Sequence, residues 1–263
     1  MFISLSLSIY SHERYVNIDR QKFRIKEYGK GDITVIFESG MSDSIEAWQS
    51  IPDSVAMFAN VFLYDRAGIG KSGISGQERT IPNMVYELHA ILEHDSVNPP
   101  YVLVGHSLGG FITRYFINQY PGEVKGLLLL DPAAKAWWDN MSEKELKEYK
   151  EGGDEWYSTW PESYRKEWDQ LLPNREYMRN VSIPEDLAVI LVSATDWNWY
   201  KYHKKIIKGL SDARHIELEG GHYIHLDHPE DDNPSDMTYY EIIPIKRMKR
   251  VCNAIIIFKT YRI

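Results

Sequence analysis

The residues Gly105-His106-Ser107-Leu108-Gly109 follow an apolar run and open an amphipathic stretch. That context turns a short G-x-S-x-G match into a chemical suggestion: a serine on a sharp strand-to-helix turn, flanked by glycines because larger side chains would collide there. A serine hydroxyl is a poor nucleophile and needs a base within hydrogen-bond reach, itself oriented by a carboxylate. Doubly wound folds that carry such a triad supply its members in the order Ser, Asp, His. Here Asp196 follows the apolar run Leu187–Ser193 in the sequence SATD, and His222 lies in EGGHYIHLDHP. Asp131, at the end of LLLLD, is the competing acid, although DPA there also reads as a plain turn. His225 and His228 lie close enough to His222 to suggest a metal cluster. No H-E-x-x-H is present, Pro229 stops a long helix through the trio, and Gly220-Gly221 suits a loop presenting a single base.

The elements that must position these groups are short apolar runs alternating with amphipathic stretches. Ile33–Glu38, Val61–Asp65, Tyr101–Gly105, Val124–Asp131 and Leu187–Ser193 read as buried parallel strands, with a last strand near Ala213–Leu218. Helices are expected over Ser44–Ala59, Thr80–Asp95, Leu108–Tyr120 and Trp199–Gly209. Arg14–Tyr28 alternates in the manner of an antiparallel edge hairpin, and the apolar N-terminus MFISLSLSIY reads as a first strand or a ragged start. The sum is an α/β fold with a doubly wound, mostly parallel sheet. Ala136 to Pro184 breaks the rhythm: it is charged, rich in Trp and Tyr and has helical spacing, as expected of a helical cap over the carboxyl edge of the sheet. The expected organisation is a core of residues 1–135 and 185–263 interrupted by a cap at 136–184.

The pieces IFESGMSD, YDRAGIGKSG, VGHSLGG, LLLLDPA, VSATD and GGHYIHLDHPE resemble the alpha/beta-hydrolase fold superfamily, especially its small carboxylesterase-like and lipase-like members. The resemblance spans roughly Ile33 to Pro229 and leaves the cap and the last 30 or so residues uncovered. It implies Ser107 as nucleophile, Asp196 as acid and His222 as general base. It also implies an oxyanion hole formed by the backbone N–H groups of Met41 and Leu108, with no cofactor. A carboxylic ester of a small or medium apolar substrate is the expected reactant. The same triad could instead serve acyl transfer, peptide or carbon–carbon bond cleavage or perhydrolysis, and a member of the fold that only binds a small ligand is the non-catalytic alternative.

Composition narrows the remaining classes. A formal charge of −8 over 263 residues argues against a nucleic-acid partner. The single cysteine, Cys252, excludes intrachain disulfides and thiolate-rich metal sites. No window approaches the roughly 18 apolar residues of a membrane span, so a cytoplasmic protein without stable membrane insertion is expected. In the cap region Trp137, Trp138, Trp160 and, just after it, Trp197 are the candidate pocket residues, an aromatic wall suited to an apolar group. Asp65 and Arg66 read as braces for loops near the nucleophile, and Glu38 as a buried strand-end carboxylate. The basic tail from Lys246 to Ile263 has Ile245, Met248, Val251, Ile255 and Phe258 at helical spacing, consistent with a final packing helix.

Overall fold

The computed structural model describes residues 12–49 and 51–226. The expected N-terminal strand, the tail helix, Cys252 and His228 lie outside the described residues.

Eight strands form one sheet in the order β1-β2-β4-β3-β5-β6-β7-β8. The strands β1 (His12–Ile18) and β2 (Gln21–Gly29) make an antiparallel edge, with β2 antiparallel to β4 (Asn60–Tyr64). From β4 onward, β3 (Thr34–Glu38), β5 (Tyr101–His106), β6 (Val124–Leu130), β7 (Ala188–Ala194) and β8 (Ala213–Leu218) are all parallel. Every residue of β3, β5 and β7 is buried. That explains why these strands read as continuous apolar runs: both faces of the sheet are covered. Two apolar clusters result, one on each face. One gathers Phe62, Leu88, Phe111 and Leu129; the other gathers Val35, Phe37, Val104 and Leu128.

The helices obey their sequence signals where those were strong. In α2 (Ile81–His94) the side chains of Ile81, Met84, Val85, Leu88, Ile91 and Leu92 are buried, one face of a 3.6-residue period, and Thr80 caps the helix by accepting the Asn83 N–H. Burying each such side chain contributes about 1.5–3 kcal/mol. α3 (Gly109–Gln119) leaves directly from the nucleophile turn. The helix expected over Ser44–Ala59 is instead a 3-10 turn, Ile45–Trp48, and a separate α1 (Ile51–Val55). The break falls at Gln49, whose φ of 46° and ψ of −123° lie outside helical geometry, and Pro52 fits only because it stands in the first turn of α1. The stretch expected as a helix over Trp199–Gly209 contains only α8 (Tyr200–His203).

Between β6 and β7 stand α4 (Lys135–Asp139), α5 (Glu143–Tyr157), α6 (Glu162–Asp169) and α7 (Leu171–Tyr177). A capping box starts α5: the Ser142 hydroxyl takes the Glu145 N–H, and the Glu145 carboxylate takes the Ser142 N–H. This helix has no buried residue, whereas α6 buries Glu167 and Trp168.

The close fit of α3 onto the sheet depends on glycine. A Cβ on Gly109 would lie 2.2 Å from the Glu38 carbonyl oxygen, and one on Gly105 would lie 2.7 Å from the Gly109 oxygen. Neither neighbour is a flexible side chain. Gly109→Ala is therefore expected to lower unfolding stability by about 1–3 kcal/mol or more in urea titration. Gly76→Ala, where a Cβ meets nothing within 4 Å, should stay within about 0.5 kcal/mol of the parent; equal stability of the two variants would contradict the packing argument.

Candidate active site

Ser107 stands immediately after β5 with a φ of 52°, in the left-handed region. Its own backbone holds it there: Ser107 N–H donates to Leu130 O at 3.2 Å, and its carbonyl accepts from Gly110 at 2.9 Å and Ala133 at 2.8 Å. The turn is thus tied both to α3 and to the end of β6, and Ser107 remains partly exposed while its neighbours are buried.

Asp131, one residue beyond β6, also has a positive φ, 40°, and is fully buried. Its Oδ2 lies 2.7 Å from His222 Nδ1 and accepts the Trp199 indole N–H at 2.8 Å, while Oδ1 accepts the Ala194 N–H at 3.0 Å. The expectation that Asp196 would meet His222 is not what the fold brings together. Asp196 is exposed beyond the end of β7, and its Oδ1 accepts the Gly220 N–H at 3.4 Å. The physical reason is strand adjacency. β6 is the hydrogen-bonded neighbour of β5, so a carboxylate at its end lies beside the serine turn.

A carboxylate against Nδ1 fixes the imidazole tautomer and leaves Nε2 as the basic nitrogen. The loop bearing His222 is held by the residue inside the motif: His106 Nε2–H donates to the His222 carbonyl at 3.0 Å. Burial pushes the His106 imidazole well below its ordinary value, so it sits there neutral. His225 meets His106 edge-on with ring centroids 4.6 Å apart, and burial pushes it down to about 4. Among the described residues no group of three His, Cys, Asp or Glu is arranged to hold a metal ion.

The loop after β3 is built around Arg66. Its guanidinium donates to Glu38 Oε1 at 2.7 Å, to the carbonyls of Ser39 at 2.8 Å and Gly40 at 2.5 Å, and to both oxygens of Glu167 on α6 at 2.7 and 2.9 Å. Glu167 Oε2 also accepts the Ser42 N–H at 2.7 Å, so Met41 lies between residues fixed on both sides. Tyr64 donates to the other oxygen of Glu38 at 2.5 Å. Burial works against the Glu167 charge, but Arg66 outweighs it and the carboxyl is held below its ordinary value. Asp65 accepts the backbone N–H groups of Ile45 and Lys71, both at 2.8 Å. Asp65, Arg66 and Glu38 are thus the bracing groups their sequence context suggested.

Ser107, Leu108, Met41 and His222 all line one cavity of about 500 Å³, together with Trp137, Trp138 and Trp197. The backbone N–H groups of Met41 and Leu108 take no backbone acceptor among the described residues. Trp160, expected in this wall, packs instead on Tyr157 and Tyr164 with centroids 5.2 and 6.1 Å away and is not part of the lining. Sequence reasoning passed over Tyr149, Trp156 and Tyr157 of α5, as well as Asp43 and Tyr223, all of which face the cavity. The spacing 149, 153, 156, 157 marks one face of a helix and could have shown the first group. Trp199 reads in the sequence as the start of a helix, and nothing in its neighbourhood signals that its N–H meets Asp131.

Comparisons agree with this architecture. A family model described as the alpha/beta hydrolase fold matches residues 33–179, more than half of the chain. The Bacillus subtilis (strain 168) protein YqjL is 40% identical over 105 residues, covering 40% of this chain and 42% of its own. The (lyso)-N-acylphosphatidylethanolamine lipase of Mus musculus is 27% identical over 126 residues, 45% of this chain and 37% of its own. The matched stretches thus span less than half the length of these curated relatives. Among solved structures, alpha/beta hydrolase domain-containing protein 10 from mouse superimposes with a TM-score of 0.61 at 18% identity, covering 91% of this chain and 99% of that one. The carbazole-degradation serine hydrolase CarC gives 0.61 at 18% identity, covering 89% and 100%. A strand-end serine on a left-handed turn, the parallel sheet beneath it and the matched family model together make this chain a member of the alpha/beta hydrolase fold family.

Proposed function

We propose that the protein is a serine hydrolase that cleaves a carboxylic ester through an acyl-enzyme on Ser107. The observation that carries this reading is the His222–Asp131 contact of 2.7 Å, buried at its acid end, in the cavity that also exposes the strained serine turn. In this mechanism His222 Nε2 takes the Ser107 hydroxyl proton as Oγ attacks the ester carbonyl. The tetrahedral oxyanion is received by the N–H groups of Met41 and Leu108, the latter at the start of α3, where the helix dipole favours negative charge. The imidazolium, steadied by Asp131, then gives its proton to the departing alkoxide. Water, deprotonated in turn by His222, attacks the acyl-enzyme, releases the acid and restores the serine. Each oxyanion donor is worth about 2.7–4 kcal/mol of transition-state stabilisation, so the rigid Ser39–Ser42 loop matters as much as the triad.

The helical segment 136–184 serves in this reading as the cap, whose rings close a pocket for the hydrocarbon body of the substrate and exclude water. The relatives fit: one is named a lipase and one solved neighbour a serine hydrolase. Among the described residues no helix is long and apolar enough to cross a membrane, and the substrate in this reading is a small molecule.

Two measurements bear on this. Ser107→Ala should lower kcat/KM on p-nitrophenyl butyrate by roughly 10^4 or more and abolish labelling by a fluorophosphonate probe; labelling that survives the substitution would sink the proposal. Asp131→Asn should cost roughly 10^3–10^4 in kcat by releasing the histidine tautomer, whereas Asp196→Asn should cost less than about tenfold. The reverse ranking would restore Asp196 as the acid.

A further inference from the structure

The cavity wall has a charge pattern that a purely hydrocarbon ester does not use. Among the described residues its charged lining consists of Asp43 and Glu148, with no lysine or arginine. Glu148 is an exposed rim residue, 3.5 Å from Lys144. Asp43 is different. It follows the loop that holds Met41, its side chain is 18% exposed, and Oδ2 is buried with no hydrogen-bond partner. Its other oxygen accepts only a long bond from the Tyr223 hydroxyl, 3.3 Å.

His106 Nδ1 lies 3.8 Å from Oδ2. That nitrogen cannot supply a proton, because His106 donates through Nε2 to the His222 carbonyl and the ring is neutral. Nδ1 is therefore a lone pair facing a second acceptor. Asp43 and His106 thus both line the pocket beside Ser107, and among the described residues the Asp43 carboxylate meets no donor but the Tyr223 hydroxyl. A neutral apolar ester offers none. The remaining wall is aromatic, with Trp156, Tyr157 and Trp197 exposing rings whose faces attract cations.

We propose that the pocket is built for an ester carrying a protonated amine, the N–H directed to the pocket-lining Asp43 carboxylate and the alkyl groups on the ammonium packed against the rings of Trp156, Tyr157 and Trp197. The inference rests on the serine-hydrolase reading of the same site and narrows its substrate class. Anionic substrates are disfavoured by the same wall.

The ionisation of Asp43 should be visible in the selectivity. Burial pushes its carboxyl up to about 6, partly offset by Arg66. The groups facing it are Tyr223, Tyr157, His106 and His222, with the Arg66–Glu167 pair behind the loop. Above about 6 the carboxylate is charged and a simple alkylammonium is still protonated, so preference for the cation should rise between pH 5 and 7.5. Effects of pH on the chemical step act on any ester and cancel in a ratio of two substrates.

The experiment compares 2-(dimethylamino)ethyl butyrate with its neutral isostere 3-methylbutyl butyrate. The expected kcat/KM ratio is about tenfold or more in favour of the amine at pH 7.5, shrinking at pH 5 and falling to about threefold or less in Asp43→Asn. Equal rates, a preference for the neutral ester, or a ratio unchanged in Asp43→Asn overturns the proposal. Binding is read separately on Ser107→Ala by tryptophan fluorescence with 2-(dimethylamino)ethanol and 3-methylbutanol. There the amine should bind at least about tenfold more tightly, and equal affinity overturns the inference even if Asp43→Asn fails to fold. No turnover and no Ser107 labelling, with amine-selective binding intact, would count against the hydrolase reading and not against the recognition of the amine.

Discussion

One buried cation organises the chemistry of this molecule. The Arg66 guanidinium is 2% exposed and lies between two fully buried carboxylates, Glu38 at the end of β3 and Glu167 on α6. Burying three charges is expensive, and such a cluster seldom adds stability over a packed apolar core. Its return is geometry. The same guanidinium takes the Ser39 and Gly40 carbonyls, and the same Glu167 takes the Ser42 N–H. The loop carrying Met41 is thereby fixed to the sheet and to the helical segment at once. Removing either carboxylate would leave Arg66 charged with only one of its two carboxylate partners, the costly way to break a buried pair.

The second constraint is the order of strands. Ser107, Asp131 and His222, the proposed nucleophile, acid and base, follow the ends of β5, β6 and β8, on one edge of a sheet in which β5, β6, β7 and β8 are consecutive neighbours. Because these strands are parallel, all their carboxyl ends open on the same side. Positive φ values at Ser107 and Asp131 turn the chain sharply at two adjacent ends, and hydrogen bonds from Ser107 N–H and from Ala133 N–H tie the two turns together. The catalytic pair is therefore a property of the β5–β6 register as much as of the residues themselves.

This explains what could be read in the amino-acid sequence and what could not. The buried strands were legible because two covered faces demand continuous apolar runs, and α2 was legible from its period and its Thr80 cap. Ser107 and His222 were legible because glycines mark the turn and the loop that present them. The carboxylate that contacts His222 was not, since Asp131 and Asp196 both follow apolar strands and both precede His222. Which one meets the imidazole depends on strand neighbours, and linear order carries no record of that. Trp160 failed as a pocket residue for a similar reason: tryptophan type marks burial or contact, but the face a ring takes is set by helix phase and by what lies beneath.

The helical segment shows how a pocket wall can border the core of the sheet without being buried in it: Leu146, Tyr149 and Tyr157 of α5 pack against that core only partly buried. α5 supplies Tyr149, Gly153, Trp156 and Tyr157 to the cavity yet buries no residue of its own. It is seated on Trp168 of α6, whose ring comes so close to Gly153 that a Cβ there would lie 1.8 Å from the indole. The segment is in turn fastened to the core by polar ties that include Glu167 to Arg66, and Asn174 of α7, which accepts the Ile81 N–H at 2.7 Å and donates to the Arg79 carbonyl at 2.9 Å. The reacting groups are held by the sheet and the specificity wall by α6 and α7. Side chains along α5 are therefore free to differ in size and chemistry without disturbing the Ser107 turn, the Asp131 carboxylate or the loop around Met41, which is the physical condition for one catalytic frame to serve different substrates.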